Sequence, residues 1–110
     1  MADTEKIDVV RVIGEVLTEM DVLLASPDIS DSDFKAGRKL RRDLDKLQLR
    51  IVAEQFRENT KKFQEAAQAL EGVNKEISKT IADVEKIAET IGAIAKLISA
   101  GEKLLSIAIA

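Results

Sequence analysis

Residues 49–105 read LRIVAEQFRENTKKFQEAAQALEGVNKEISKTIADVEKIAETIGAIAKLISAGEKLL. An apolar residue recurs here at every seventh position, namely Leu49, Phe56, Phe63, Leu70, Ile77, Val84, Ile91, Ile98 and Leu105. The flanking positions are apolar on both sides of this series: Ala67, Ile81, Ala88 and Ala95 on one, and Ala66, Val73, Ile87 and Ile94 on the other. A strict seven-residue repeat predicts helices that supercoil around other helices. We therefore expect an all-α fold in which the nine positions form a coiled-coil seam.

A separate amphipathic helix is predicted upstream, over residues 4–25, with Asp3 or Thr4 as its N-cap. Its apolar residues recur in steps of three and four and so share one face: Val9, Val12, Ile13, Val16, Leu17, Met20, Leu23 and Leu24. Pro27 cannot continue a helix, so residues 26–32 are expected to form a loop. Ser30 with Asp33, or alternatively Ser32, marks the start of the next helix.

No proline follows Pro27, so the sequence leaves two arrangements open for residues 33–110. The first helix, folded back as an antiparallel hairpin, can cover its partner only to about Ala53. Beyond that point the chain either continues as one long helix that pairs with other chains, or breaks near residues 59–60 and folds back into a multi-helix bundle. Asn59 and Thr60 are weak helix formers. In both cases residues 1–110 are expected to form a single helical domain.

The composition argues against enzymatic chemistry. The chain has no Cys and no His, which removes thiolate chemistry, the usual general base near neutral pH and the commonest metal ligand. The acidic loop of Asp28, Asp31 and Asp33 fails the calcium-loop pattern, because Lys35 occupies a ligand position and the required Gly is missing. We therefore expect no catalytic, cofactor-binding or metal-binding residues.

A basic run, KAGRKLRR at residues 35–42, opens the second helix. Such a run can bind nucleic acid or an anionic membrane, or it can pair with the acidic first helix, where Glu15, Glu19 and Asp21 would lie nearby. The sequence pI is about 5.1 and no aromatic residue within the run is available for base stacking. The pairing interpretation is therefore favoured, and nucleic acid is not expected as a partner.

The last twenty residues, IGAIAKLISAGEKLLSIAIA at 91–110, are the most apolar part of the chain. Membrane or partner contacts are assigned here to five residues: Ile94, Ile98, Leu104, Leu105 and Ile107. Lys96, Glu102 and Lys103 interrupt the segment well short of the ~20 apolar residues that a bilayer span needs. Gly92, Ala95, Ser99 and Gly101 permit close helix approach. Burial within a helical assembly is favoured over membrane insertion.

These patterns favour a non-enzymatic structural or adaptor protein that associates through helices with itself, as a homo-oligomer, or with a helical partner. The alternative is a membrane-active protein, such as a component of an α-helical pore-forming toxin, that uses residues 91–110. The N-terminal sequence MADTEKIDVV lacks the basic and apolar regions of a signal peptide. We expect a cytoplasmic protein, or one exported without a cleavable signal peptide.

Overall fold

Four α-helices make up most of the computed structural model, which describes residues 5–109. They are α1 (Lys6–Leu24), α2 (Asp31–Ala53), α3 (Lys61–Thr80) and α4 (Ile87–Leu105), and a one-turn 3₁₀ helix (Val84–Lys86) leads into α4. The predicted all-α fold is confirmed over these residues, and the helices pack as a bundle. The proposed caps Asp3 and Thr4 lie outside the described residues. Ser30 is confirmed as the α2 cap, since its hydroxyl accepts a hydrogen bond from the Asp33 N–H at 3.2 Å.

Each helix packs mainly on two neighbours: α1 and α4 both lie between α2 and α3. At one end of the bundle, Lys6 Nζ donates to the carbonyl oxygens of Val52 and Glu54 at 3.1 and 2.7 Å. We call this the linker end, because residues 54–60 between α2 and α3 lie there. At the other end, Asp21 pairs with Arg41. The chain therefore runs along α1 away from the linker end and returns to it along α2.

The core is aliphatic, with Phe63 as its only fully buried aromatic side chain among the described residues. All four helices contribute to one cluster of buried residues, whose largest fully buried members are Phe63, Ile13, Met20, Leu44, Ile51, Leu70, Ile77, Ile94, Leu97 and Leu104. Full burial of one such side chain stabilises a fold by about 1.5–3 kcal/mol. The stability of this bundle is therefore spread over many side chains of moderate size.

One continuous helix over residues 33–110 is wrong, because the chain turns twice in that range. It leaves α2 after Ala53 and re-enters a helix at Lys61, where the Thr60 hydroxyl accepts a hydrogen bond from the Phe63 N–H. The break expected near residues 59–60 therefore spans residues 54–60. A second turn, which the sequence did not predict, follows Thr80, and the Asp83 carboxylate caps the 3₁₀ helix there through the Glu85 N–H.

The seven-residue spacing continues across both turns. Phe56 lies in the first linker and packs against Phe63, with ring centroids 5.6 Å apart. Val84 lies in the 3₁₀ helix and is only partly buried. Both residues keep the period although neither belongs to an α-helix, so an unbroken heptad pattern did not require an unbroken helix.

Replacing Ile77 with Asp should destabilise the bundle far more than replacing Val84 with Asp. Ile77 is fully buried, and an unpaired carboxylate at its position costs several kcal/mol. Val84 is partly exposed, so Asp at that position keeps contact with water. Thermal unfolding followed by circular dichroism measures the difference. Equal losses in the two variants would contradict the observed break between α3 and α4.

Two glycines of α4 provide a second, matched test. A Cβ at Gly101 would collide with the Leu47 side chain of α2, whereas one at Gly92 would meet nothing within 4 Å. Gly101→Ala should therefore lower the melting temperature, since overpacking typically costs about 1–3 kcal/mol. Gly92→Ala should raise it, because Ala is favoured over Gly by about 1 kcal/mol inside a helix. Stabilisation by both substitutions would show that α4 does not pack closely on α2.

Candidate helix-docking surface

The nine predicted seam positions do not lie along one helix, and they differ in burial. Phe63, Leu70 and Ile77 are fully buried in α3. Five others are partly buried: Phe56, Val84, Ile91, Ile98 and Leu105. Leu49 is 62% exposed on the outside of α2. Leu47, two residues before it, is buried in the core instead. Eight of the nine seam residues thus contribute to the bundle, and the ninth, Leu49, faces solvent.

The five residues assigned to membrane or partner contact lie on or just after α4. Ile94 and Leu104 are buried in the core, while Ile98, Leu105 and Ile107 are partly buried. The Ile109 N–H donates to the carbonyl oxygen of Gln55 at 2.8 Å, which holds the end of the tail against the linker. Within residues 5–109, no helix is both long enough and apolar enough to cross a bilayer.

Most of the exposed large aliphatic side chains lie at the linker end of α1 and α2. Ile7 is 69% exposed and Val52 is 51% exposed, and both line a cleft of about 500 Å³ together with Val10. Leu49 precedes Val52 by three residues and so lies beside it on the surface of α2. We call Ile7, Val10, Leu49 and Val52 the apolar cluster. Sequence reasoning missed Ile7, Val10 and Val52, since none of them belongs to the seam.

Polar contacts fix α1 against α2 beneath this cluster. Gln48 donates from Nε2 to the carbonyl oxygen of Val10 at 3.0 Å. Gly14 leaves room for that amide, since a Cβ there would lie 3.2 Å from Gln48 Nε2. Lys6 places its ammonium group at the C-terminus of α2, where the helix dipole favours a positive charge. The apolar cluster therefore rests on two helices whose relative position is set by hydrogen bonds.

The expected pairing of the basic run with α1 holds for Arg41 alone. Arg41 Nε donates to Asp21 Oδ1 at 2.6 Å, and this hydrogen bond lowers the pKa of Asp21 below its ordinary value. Glu15 pairs instead with Arg11 on its own helix. Glu19 lines a cleft on the α3 side, where one of its carboxylate oxygens is buried without a hydrogen-bond partner among the described residues.

The other cations of α2 form an exposed surface that we call the basic ridge. Its members are Lys35, Arg38, Lys39, Arg42, Lys46 and Arg50. None of the six forms an ion pair with any residue from 5 to 109. Arg38 instead lies over the ring of Phe34, 5.7 Å from its centroid. The interpretation of the run as a neutralised internal contact is therefore wrong for four of its five cations, because the turn of the helix directs only Arg41 toward α1.

A second apolar cleft, of about 610 Å³, lies at the end of the bundle near Pro27. The C-terminal parts of α1 and α3 form it, with Leu23 and Ile81 among its walls. Val22 at its edge is 72% exposed. This cleft lies at the opposite end of α1 from the apolar cluster, and so Val22 offers a matched control for tests of that cluster.

Among residues 5–109, no group of three or more acidic residues is placed to hold a metal ion. Comparison with known protein families, curated proteins and solved structures finds no match to this chain. Apart from the cleft near Pro27, the features that remain are the apolar cluster and the basic ridge, which adjoin on α2. Such a surface can bind a partner by burial of aliphatic side chains and by charge.

The intact protein should release no dye from liposomes. Insertion of residues 91–110 into a bilayer would require α4 to leave the bundle and expose the core around Ile94, Leu97 and Leu104. We expect the free energy lost by this exposure to exceed the free energy gained from contacts at the membrane interface. A fluorescence release assay with phosphatidylcholine and phosphatidylserine vesicles tests this. Release by the intact chain that is lost in Ile98→Lys would instead support the membrane-active alternative, provided that the variant keeps its helical content.

Proposed function

We propose that this protein is a non-enzymatic structural or adaptor protein that acts through helix–helix association, with itself or with a helical partner. The observation that carries the proposal is the apolar cluster at the linker end of α1 and α2. Single exposed aliphatic residues are common on soluble proteins, but a group of them marks an interaction surface. Here three strongly exposed side chains, those of Ile7, Leu49 and Val52, come from two adjacent helices.

The heptad pattern supports a helix as the bound element. Leu49 is the one seam position that the bundle leaves exposed in the described residues. A further helix laid over the groove between α1 and α2 would cover Leu49, and it would give that position the coiled-coil type of packing that the heptad pattern predicts. In this proposal α1 and α2 act as an antiparallel hairpin whose outer face receives the added helix.

The energetics suit reversible association. Full burial of an aliphatic side chain stabilises a complex by about 1.5–3 kcal/mol, and association costs at least about 4 kcal/mol in lost rigid-body freedom. The three side chains are already partly buried in the free protein, so each gains only part of this amount on binding and neighbouring residues must also contribute. Gln48 and the Lys6 contacts hold the two helices in place before binding, so little further ordering is needed.

The test uses Ile7→Gln with Leu49→Gln, which removes apolar surface without a change in net charge. Light scattering should give a mass above 12.1 kDa for the wild-type protein, alone or after addition of a designed amphipathic helical peptide, and the double variant should remain at 12.1 kDa. Val22→Gln, at a similarly exposed residue, is the matched control and should behave as wild type.

A wild-type protein that stays monomeric and also fails to bind the peptide would rule out association through this surface. Equal weakening by Val22→Gln would show that the effect is not local to the apolar cluster. Circular dichroism of all variants verifies that the bundle is folded, which is expected because the substituted side chains lie mostly in solvent.

A further inference from the structure

We infer that the helix received by this surface is acidic and amphipathic, and that it lies along α2 with its carboxylates over the basic ridge and its apolar residues over the apolar cluster. This inference rests on the proposed function, and it adds the chemical class of the partner. We infer an acidic partner because the basic ridge places six exposed cations on one helix of a protein whose net charge is −3.

The ridge places like charges at neighbouring positions of one helix. Lys35 and Lys39, Arg38 and Arg42, Arg42 and Lys46, and Lys46 and Arg50 are four pairs of like charges spaced four residues apart on α2. Each such pair destabilises a helix by a few tenths of a kcal/mol. No described carboxylate pairs with any of them. Carboxylates supplied by a partner would relieve this repulsion.

The spacing of the exposed residues suits a helix as the source of those carboxylates. Lys35, Arg38, Arg42, Leu49 and Val52 follow one another in steps of three, four, seven and three, and so form a single stripe along α2. Between Arg42 and Leu49 the stripe passes Asp45 and Lys46, which are each three or four residues from both, and Asp45 interacts electrostatically with the neighbouring Arg41. The cations from 35 to 50 extend over about 22 Å at 1.5 Å per residue, which is the length of a partner helix of about four turns.

Other anionic partners fit less well. Three members of the apolar cluster, Ile7, Val10 and Val52, line a cleft of about 500 Å³, which side chains of a helix fill and a flat layer of lipid headgroups does not. Phe34 is the only aromatic residue of α2, and Arg38 lies over its ring, so the ridge has no free platform for stacking of nucleic-acid bases.

A second copy of the chain offers few free acids on its outer α1 face. Asp8 and Glu15 pair with Arg11, and Asp21 pairs with Arg41. Self-association through this face would therefore leave the ridge largely uncompensated. Between a second copy docked through this same face and a separate acidic helix, the charges favour the separate helix.

The experiment measures fluorescence anisotropy with three labelled helical peptides. All three carry Leu at the same seam positions, and their polar positions are Glu, Gln or Lys. The wild-type protein should bind the Glu peptide about tenfold more tightly than the Gln peptide, and added salt should reduce that difference. Arg38→Glu with Arg42→Glu and Lys46→Glu should abolish the preference for the Glu peptide.

The matched control is Lys75→Glu with Lys79→Glu and Lys86→Glu. These three lysines are exposed and form no ion pair with a described residue, and their substitution changes the net charge by the same amount as the ridge variant. The control should keep the preference for the Glu peptide. Equal loss of binding in both triple variants would overturn the inference, because it would show that only overall charge matters. Circular dichroism verifies that both variants are folded.

Three further outcomes separate the inference from the proposed function. Equal binding of the Glu and Gln peptides would overturn the acidic partner and leave helix association standing. No binding of any peptide by a monomeric wild-type protein would overturn both. Tighter binding to phosphatidylserine vesicles or to a DNA duplex than to the Glu peptide would overturn the acidic helix in favour of that anion.

Discussion

The whole bundle depends on one constraint: each helix must bury a continuous aliphatic face along its length, and α1 limits that length. Pro27 ends the first helical segment early, so α1 has only 19 residues. The other three helices have 23, 20 and 19 residues. A longer helix would carry its apolar stripe past the end of its neighbours and expose it to water. Two chain reversals, after Ala53 and after Thr80, follow from that cost.

The breadth of the apolar surface of α4 follows from its position. This helix packs against both α2 and α3, so it must be apolar over a wide arc instead of a narrow stripe. Close packing on one side requires Gly101, which lies against Leu47. On the other side the hydroxyl groups of Thr80 and Thr90 lie 2.8 Å apart, and Thr90 is fully buried. The hydrophobicity that resembled a membrane segment in the sequence is thus used within the core.

The sequence predicted the elements that depend on residues with a specific local effect. It did not predict features that depend on how the helices pack together. The first helix, the Pro27 loop and the Ser30 cap each rest on residues with a specific local effect, and the structure contains them. The turn after Thr80 was missed because residues 79–90 contain no Pro or Gly, and the heptad spacing passes through it unchanged. Asp83, which caps the 3₁₀ helix through the Glu85 N–H, was one capping signal there. The period identified apolar positions, but it did not show that Leu47 would be buried and Leu49 exposed.

The surface was hardest to predict because it depends on which helix faces remain uncovered. The sequence of the basic run does not show which of its five cations face α1. Successive residues of a helix point in directions about 100° apart, so neighbouring cations face different sides. Arg41 therefore reaches Asp21 on α1, while Arg38 and Arg42 do not. The result is an ordered surface, with charge along one part of α2 and aliphatic side chains at its linker end. Because Arg50 lies between Leu49 and Val52 in the sequence, the two parts adjoin, and an amphipathic helix that covers these aliphatic side chains can hold its carboxylates beside the cations of α2.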